Sequence, residues 1–159
     1  MKALIIYDSV FGNTEQVAQA MAVALQTSAV PVSQVTADML RGVDLLIVGS
    51  PTRSFRPTPA ISKFLKSLPK DQLAGIRAAT FDTRIWLNTI DSAAFCFLVD
   101  KGGYAANTMA SAIKKKGGTL DVPPEGFLVT GEEGPLKEGE LEHAAAWAKQ
   151  LARTVRPVL

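Results

Sequence analysis

Short apolar runs alternate along this chain with stretches whose apolar residues recur every three or four positions. The first kind suits a buried strand, the second a helix packed on it. Residues 3–7 read as a strand, and residues 14–26 as a helix with Val17, Met21, Ala24 and Leu25 on one face. A short second strand is predicted over 31–35 and a third over 43–49, stopped by Ser50-Pro51. Thr58 opens a helix with Pro59 in its first turn, a position proline favours. Ile61, Phe64, Leu65 and Leu68 form its inward face. A fourth strand is predicted over 77–82 and a further helix over 104–116. The fifth strand takes residues 119–122 and 127–130, and the break at Pro123-Pro124 suits a sheet edge. The last helix, 138–153, carries the stripe Leu141, Ala144, Ala145, Ala148, Leu151 and Ala152. Residues 84–103 fit either a short extra helix near 91–99 or an extended loop.

Five strands separated by helices predict an α/β architecture, a parallel sheet covered on both faces with right-handed crossovers. At 159 residues the chain suits a single domain over 1–159. In such sheets ligands bind beyond the carboxyl ends of the strands, where the winding reverses. Three loops therefore share one rim: 8–14, 50–57 and 82–88.

Composition changes this picture little. Hydrophobic residues make up 47% and charged residues 20%, which excludes disorder. The net charge of +2 is too small to argue for nucleic acid, and Lys114-Lys115-Lys116 before Gly117-Gly118 reads as the solvated end of a helix, where cations complement the dipole. The lone cysteine, Cys96, excludes an intramolecular disulfide and a cysteine-based metal cluster. It sits in an apolar run and reads as core packing. His143, the one histidine, falls in the alanine-rich last helix and reads as a surface or half-buried residue. Only two residues precede the first strand and no apolar run approaches the length of a membrane span, so a cytoplasmic protein without membrane insertion is expected.

The first rim loop carries the chemistry. A strand gives way to Ser9-Val10-Phe11-Gly12-Asn13-Thr14 and at once to a helix. That layout aims backbone N–H groups and the positive end of the helix at whatever lies above the strand, and it favours an anion, most often a phosphate. Gly12 lets the backbone approach a ligand, Asn13 tolerates unusual dihedral angles, and Thr14 can cap the helix and offer a hydroxyl. An ordinary strand-to-helix turn would use the same residues. In the second loop Pro51, Thr52, Arg53, Ser54, Phe55 and Arg56 precede Pro57. Its arginines suit an anion and its phenyl ring suits a flat heterocycle; the alternative is a solvated loop with surface ion pairs. In the third loop Asp82, Thr83, Arg84 and Trp86 line up as an opposite wall, with Trp86 equally suited to a core anchor. No catalytic residue and no metal-ligand set stands out.

The stretch Tyr7-Asp8-Ser9-Val10-Phe11-Gly12-Asn13-Thr14-Glu15 resembles the phosphate loop of the flavodoxin-like FMN proteins, and Gly49-Ser50-Pro51-Thr52-Arg53 resembles their second flavin loop. The resemblance covers essentially the whole chain. It implies a three-layer, doubly wound, five-stranded sheet in the order 2-1-3-4-5. It also implies FMN, its phosphate on residues 9–14, its ring between the second and third loops, and residues 82–84 along the pyrimidine edge. Where electron carriers usually have hydroxyl residues this chain has Val10 and Phe11, and it is mildly basic where carriers are strongly acidic. An aromatic residue at the Phe11 position is similar to the FMN-dependent NAD(P)H:quinone oxidoreductases. The compact chain puts first a carrier of electrons between a redox partner protein or small acceptor and its donor; the alternative, for which the basic loops speak, is an NAD(P)H-dependent oxidoreductase. A module for another phosphate ligand is the third. The oligomeric state is open.

Overall fold

The computed structural model describes residues 1–85 and 104–155. Along the chain run β1 (Ala3–Tyr7), α1 (Asn13–Leu25), β2 (Ala29–Pro31), β3 (Leu45–Pro51), α2 (Pro59–Ser67), β4 (Arg77–Ile85), α3 (Ala105–Lys115), β5 (Glu125–Val129) and α4 (Glu140–Val155). The strands form one parallel sheet in the order β2-β1-β3-β4-β5. Successive residues of a strand point to opposite faces, and β1 shows the result. Ile5 and Tyr7 pack with Val17, Ala18 and Met21 of α1 and with Ala144, Trp147 and Leu151 of α4. Leu4 and Ile6 pack with Ile61 and Leu65 of α2 and with Met109 and Ile113 of α3. The fold is the three-layer, doubly wound arrangement expected from the sequence, in the expected strand order.

The differences from expectation have local causes. The second strand lies over Ala29–Pro31 instead of 31–35, and residues 32–34 form a 3₁₀ turn. Pro31 has no N–H to extend the ladder, so pairing ends with Tyr7↔Pro31. Val32 and Val35 still pack inward, from the turn. The third strand runs on through Ser50 and Pro51 because Asp82 and Thr83 of β4 pair with them. The fourth also outruns its predicted end, to Ile85, since β5 pairs with residues 81–85. Asp82, Thr83 and Arg84, expected in a loop, therefore sit on a strand. Within the predicted fifth strand Thr119 makes only an isolated bridge to Arg77, and the strand proper begins after Pro123-Pro124, at the sheet edge as expected. On α4 the inward stripe is Ala144, Trp147, Ala148 and Leu151, while Leu141 is exposed. Trp147 meets Phe81 and Phe127 edge-to-face, with ring centroids 6.4 and 6.0 Å away, a geometry worth about 0.5–1.5 kcal/mol per pair beyond burial.

The three-lysine run ends α3 as expected. Lys116 turns its ammonium onto the carbonyls of Lys66 and Leu68, 3.2 and 2.6 Å away, and so caps the end of α2 as well. His143 is half-buried, between Glu140 and Glu125 and against the Phe127 ring. Among the described residues no helix is long and apolar enough to cross a membrane. Trp86, Cys96 and the proposed helix near 91–99 lie outside the described residues.

Candidate functional site

A cavity of about 240 Å³ opens at the carboxyl ends of β1, β3, β4 and β5. Its first wall is the loop between β1 and α1. Gly12 stands just before the helix at φ +93°, a left-handed conformation that glycine adopts without steric cost. The Ser9 hydroxyl accepts from the N–H groups of Gly12 and Glu15, at 3.1 and 3.3 Å, and this draws the loop into a tight arc. Helix geometry leaves the first-turn amides of Asn13 and Thr14 with no intrahelical carbonyl. Thr14 is of a type that can cap α1. It lies inside the helix instead, the cap position belongs to Gly12, and the Thr14 hydroxyl meets that of Thr83 at 2.8 Å in a buried contact. Asn13 donates from its side-chain amide to the carbonyl of Glu133, in the turn after β5. Val10 and Phe11, 49% and 45% exposed, form the lip.

The second wall is a two-residue hairpin. Arg53 and Arg56 exchange both backbone hydrogen bonds, at 2.8 and 3.0 Å. Ser54 and Phe55 make the turn at φ 50° and 66°. Tight hairpins want left-handed backbone at both central positions, which is why Asn-Gly is the usual choice. A serine and a phenylalanine there store strain. The base of the hairpin is fixed: Ser50 accepts from the N–H of Thr58, and the N–H of Thr52 donates to the carbonyl of Thr83. From this wall the Arg53 guanidinium lies over the Phe11 ring, 5.8 Å from its centre, and joins the first wall to the second.

The floor is built on Asp82, which has no exposed surface. Its carboxylate accepts from Arg84 twice, at 2.6 and 2.9 Å, and from the N–H of Ala106 at 3.0 Å. The Thr52 hydroxyl donates to it as well, while accepting from the N–H of Ala105. Burial pushes the Asp82 carboxyl above the ordinary carboxylate range, against the opposing pull of Arg84, Ala106 and Thr52. The Arg84 guanidinium is sandwiched: the Tyr104 ring lies 3.5 Å away on one side. On the other stands Gly126, where a Cβ would come within 2.3 Å of the guanidinium carbon. Only a glycine on β5 admits it.

Of the residues singled out in the sequence, Ser9, Val10, Phe11, Asn13, Thr14, Pro51, Thr52, Arg53, Ser54, Thr83 and Arg84 line this one cavity. Gly12, Phe55 and Asp82 support it without lining it, and Trp86 lies outside the described residues. The sequence reading missed Ile85, Val129 and Glu132. A parallel sheet puts every strand's carboxyl end on the same rim, so the Thr130-Gly131-Glu132-Glu133-Gly134 turn after β5 was the available signal for a fourth loop.

A family model described as a flavodoxin domain matches residues 4–122. No curated protein matches the sequence. Among solved structures, a flavodoxin from the domain Archaea superposes with a TM-score of 0.75 at 21% identity, over 98% of this chain and 99% of that one. Oxidised flavodoxin 2 from Bacillus cereus gives 0.72 at 21% identity, over 97% and 99%. A flavodoxin, WrbA-like protein from Agrobacterium tumefaciens gives 0.75 at 18% identity, over 98% and 97%. Identities this low speak for the fold alone. The family model spans well over half of the sequence, including the first two walls of the cleft, and the strand order agrees with it. The chain belongs to the flavodoxin domain family.

Proposed function

We propose that the cleft binds FMN and that the protein carries electrons between redox partners. The supporting observation is the pairing of the two walls: an arc of amides opened by Gly12 on one side, and Arg53 over Phe11 on the other. The donor set suits a phosphorylated, planar coenzyme. The Asn13 and Thr14 amides take the phosphate at the positive end of α1, and Thr52, Thr83 and Arg84 line the side of the cleft that would face a ring beside Phe11. FMN supplies the redox chemistry, while the protein orients it and tunes it by charge. The cavity opens at the surface, where a partner could reach a bound coenzyme.

The compact chain favours the carrier over the NAD(P)H:quinone oxidoreductase, while its charges divide between the two. An uncompensated guanidinium near the ring would stabilise anionic reduced flavin and favour hydride chemistry. Arg84 is neutralised by Asp82. That leaves Arg53, which is exposed at the rim.

Purified protein stripped of small molecules and offered FMN tests the reading. Uptake of FMN, reduction by dithionite in two resolved one-electron steps, and inertness to NADPH are expected. Bleaching by NADPH followed by quinone reduction would establish the oxidoreductase instead, and failure to take up FMN would remove both. Arg53→Ala is expected to lower the midpoint potential of bound FMN; an unchanged potential would place that side chain away from the ring.

A further inference from the structure

The net charge of +2 conceals a strong separation. Residues 45–70 and 104–118 contain no Asp or Glu and eight Lys or Arg, whereas residues 119–142 contain seven acids and one lysine. The fold turns this into two poles. The cationic stretches form the β3–α2 hairpin, α2 and α3, and both helices cover the same face of the sheet. The acidic stretch forms the edge strand, the turn after it and the start of α4, whose helix packs on the opposite face. Arg53, Arg56, Lys63, Lys66, Lys114 and Lys115 are all exposed. Among the described residues none of them is in an ion pair. Asp71 ends the first cationic stretch, and Asp38 on the same side is paired with Arg41.

We propose that the α2–α3 face, continued by the Arg53–Arg56 hairpin to the mouth of the cleft, is the docking surface for an acidic electron-transfer protein. This rests on the FMN-carrier reading, which requires a partner to approach the cleft. A surface with one sign of charge steers an oppositely charged partner and raises the association rate 10- to 1,000-fold. The choice of a protein over a nucleic acid comes from the neighbouring lip. Val10, Phe11 and Ile85 are each more than 40% exposed there, beside Arg53. Where a bound coenzyme leaves parts of these residues open, a protein partner covers them and the cations together, in the aromatic-and-arginine composition that marks interface centres.

The test uses an acidic [2Fe–2S] ferredoxin as the probe, reduced and mixed with the FMN-loaded protein in a stopped-flow instrument. Binding of the same ferredoxin to the FMN-free protein is measured alongside by calorimetry at low salt. The electron-transfer rate is expected to fall as salt shortens the screening length from about 30 Å at 0.01 M to about 10 Å at 0.1 M. Lys63→Glu/Lys66→Glu should lower the low-salt rate about tenfold, and Lys114→Glu/Lys115→Glu, at the end of α3 away from the cleft, should lower it less; both should weaken binding to the FMN-free protein, while FMN affinity stays unchanged. A rate that rises with salt, or that the substitutions leave unaltered, would overturn the proposal. So would tighter binding of a single-stranded DNA oligomer or of phosphatidylserine vesicles than of ferredoxin at 0.15 M salt. A protein that takes up no FMN yet binds ferredoxin through these lysines would remove the carrier reading and keep the surface.

Discussion

In the loop after β1 the polar side chains are committed within the protein: Ser9 to the amides of its own arc, Asn13 to the carbonyl of Glu133, Thr14 to Thr83. What that wall offers an anion is backbone, the amides that open α1, with Val10 and Phe11 as an apolar lip. The hairpin after β3 is built the other way. Its backbone groups pair with one another across a two-residue turn, and its arginines are left exposed, one of them over Phe11. A wall made of backbone can be pre-organised by one residue with the right dihedral angles, here Gly12. A wall made of long side chains needs buried anchors to hold it in place; this one has anchors, and a strained turn besides. Ser54 and Phe55 supply the strain; Ser50 and Thr52 supply the anchors. The difference implies that the two walls fail differently.

The largest effect is expected where the walls share a foundation. Asp82→Ala leaves Arg84, the N–H of Ala106 and the Thr52 hydroxyl without their common acceptor, and should cost about 3 kcal/mol in chemical denaturation. Asp82→Asn keeps the shape and has no charge to bury, so its cost should be smaller. The two also separate by pH. Burial raises the folded-state affinity of this carboxyl for its proton above that of the unfolded chain, which is near pH 4. Between those two values the folded form holds more protons, so wild-type stability declines as pH rises through the window. Asp82→Asn should flatten that decline, and an unchanged slope would show that another group sets it.

Next comes the backbone wall. A Cβ at Gly12 meets no atom within 4 Å, so the cost of Gly12→Val is conformational, about 1–3 kcal/mol. The sharper readout is ligand discrimination. FMN affinity should fall at least tenfold while riboflavin, which lacks the phosphate, is barely affected. Equal losses for both ligands would mean that the arc does not hold phosphate, and the distinction between the walls would disappear.

The contact between floor and backbone wall is expected to give the third effect. Thr14→Val or Thr83→Val each strands a buried hydroxyl, at about 1–2 kcal/mol. The double substitution removes both hydroxyls and should cost less than the sum. Strict additivity would show that the two hydroxyls do not bond.

How far the sequence spoke for this arrangement follows from the same contrast. The backbone wall was legible because a buried strand, a glycine and a helix stripe are local signals, and Gly12 carries its meaning in its type. The ends of β3 and β4 were not legible. Pro51 looked like a stop, yet pairing with β4 carries the strand through it, and pairing with β5 carries β4 to Ile85. Those are contacts between distant parts of the chain, which no local window contains. Thr14 shows the same limit: its type suits a cap, but its partner is Thr83, 69 residues away. Trp147 was overlooked because alanines dominate the pattern of the last helix, although the tryptophan fills the space beside Phe81 and Phe127.

The smallest effect belongs to the side-chain wall and is expected to have the opposite sign. Ser54 is exposed and held at φ 50°, where glycine pays no steric penalty. Relief of that strain, less the extra chain entropy glycine loses on folding, should leave Ser54→Gly about 0.5 kcal/mol more stable than wild type. If the strained turn serves to hold Arg53 over Phe11, the same substitution should loosen that contact and weaken FMN binding while the protein gains stability. A gain in stability with undiminished FMN affinity would mean that the anchors at Ser50 and Thr52 position the arginine alone. The strain would then be incidental, and the two walls would be equally pre-organised. Denaturation midpoint and FMN affinity, measured on this one variant, decide between them.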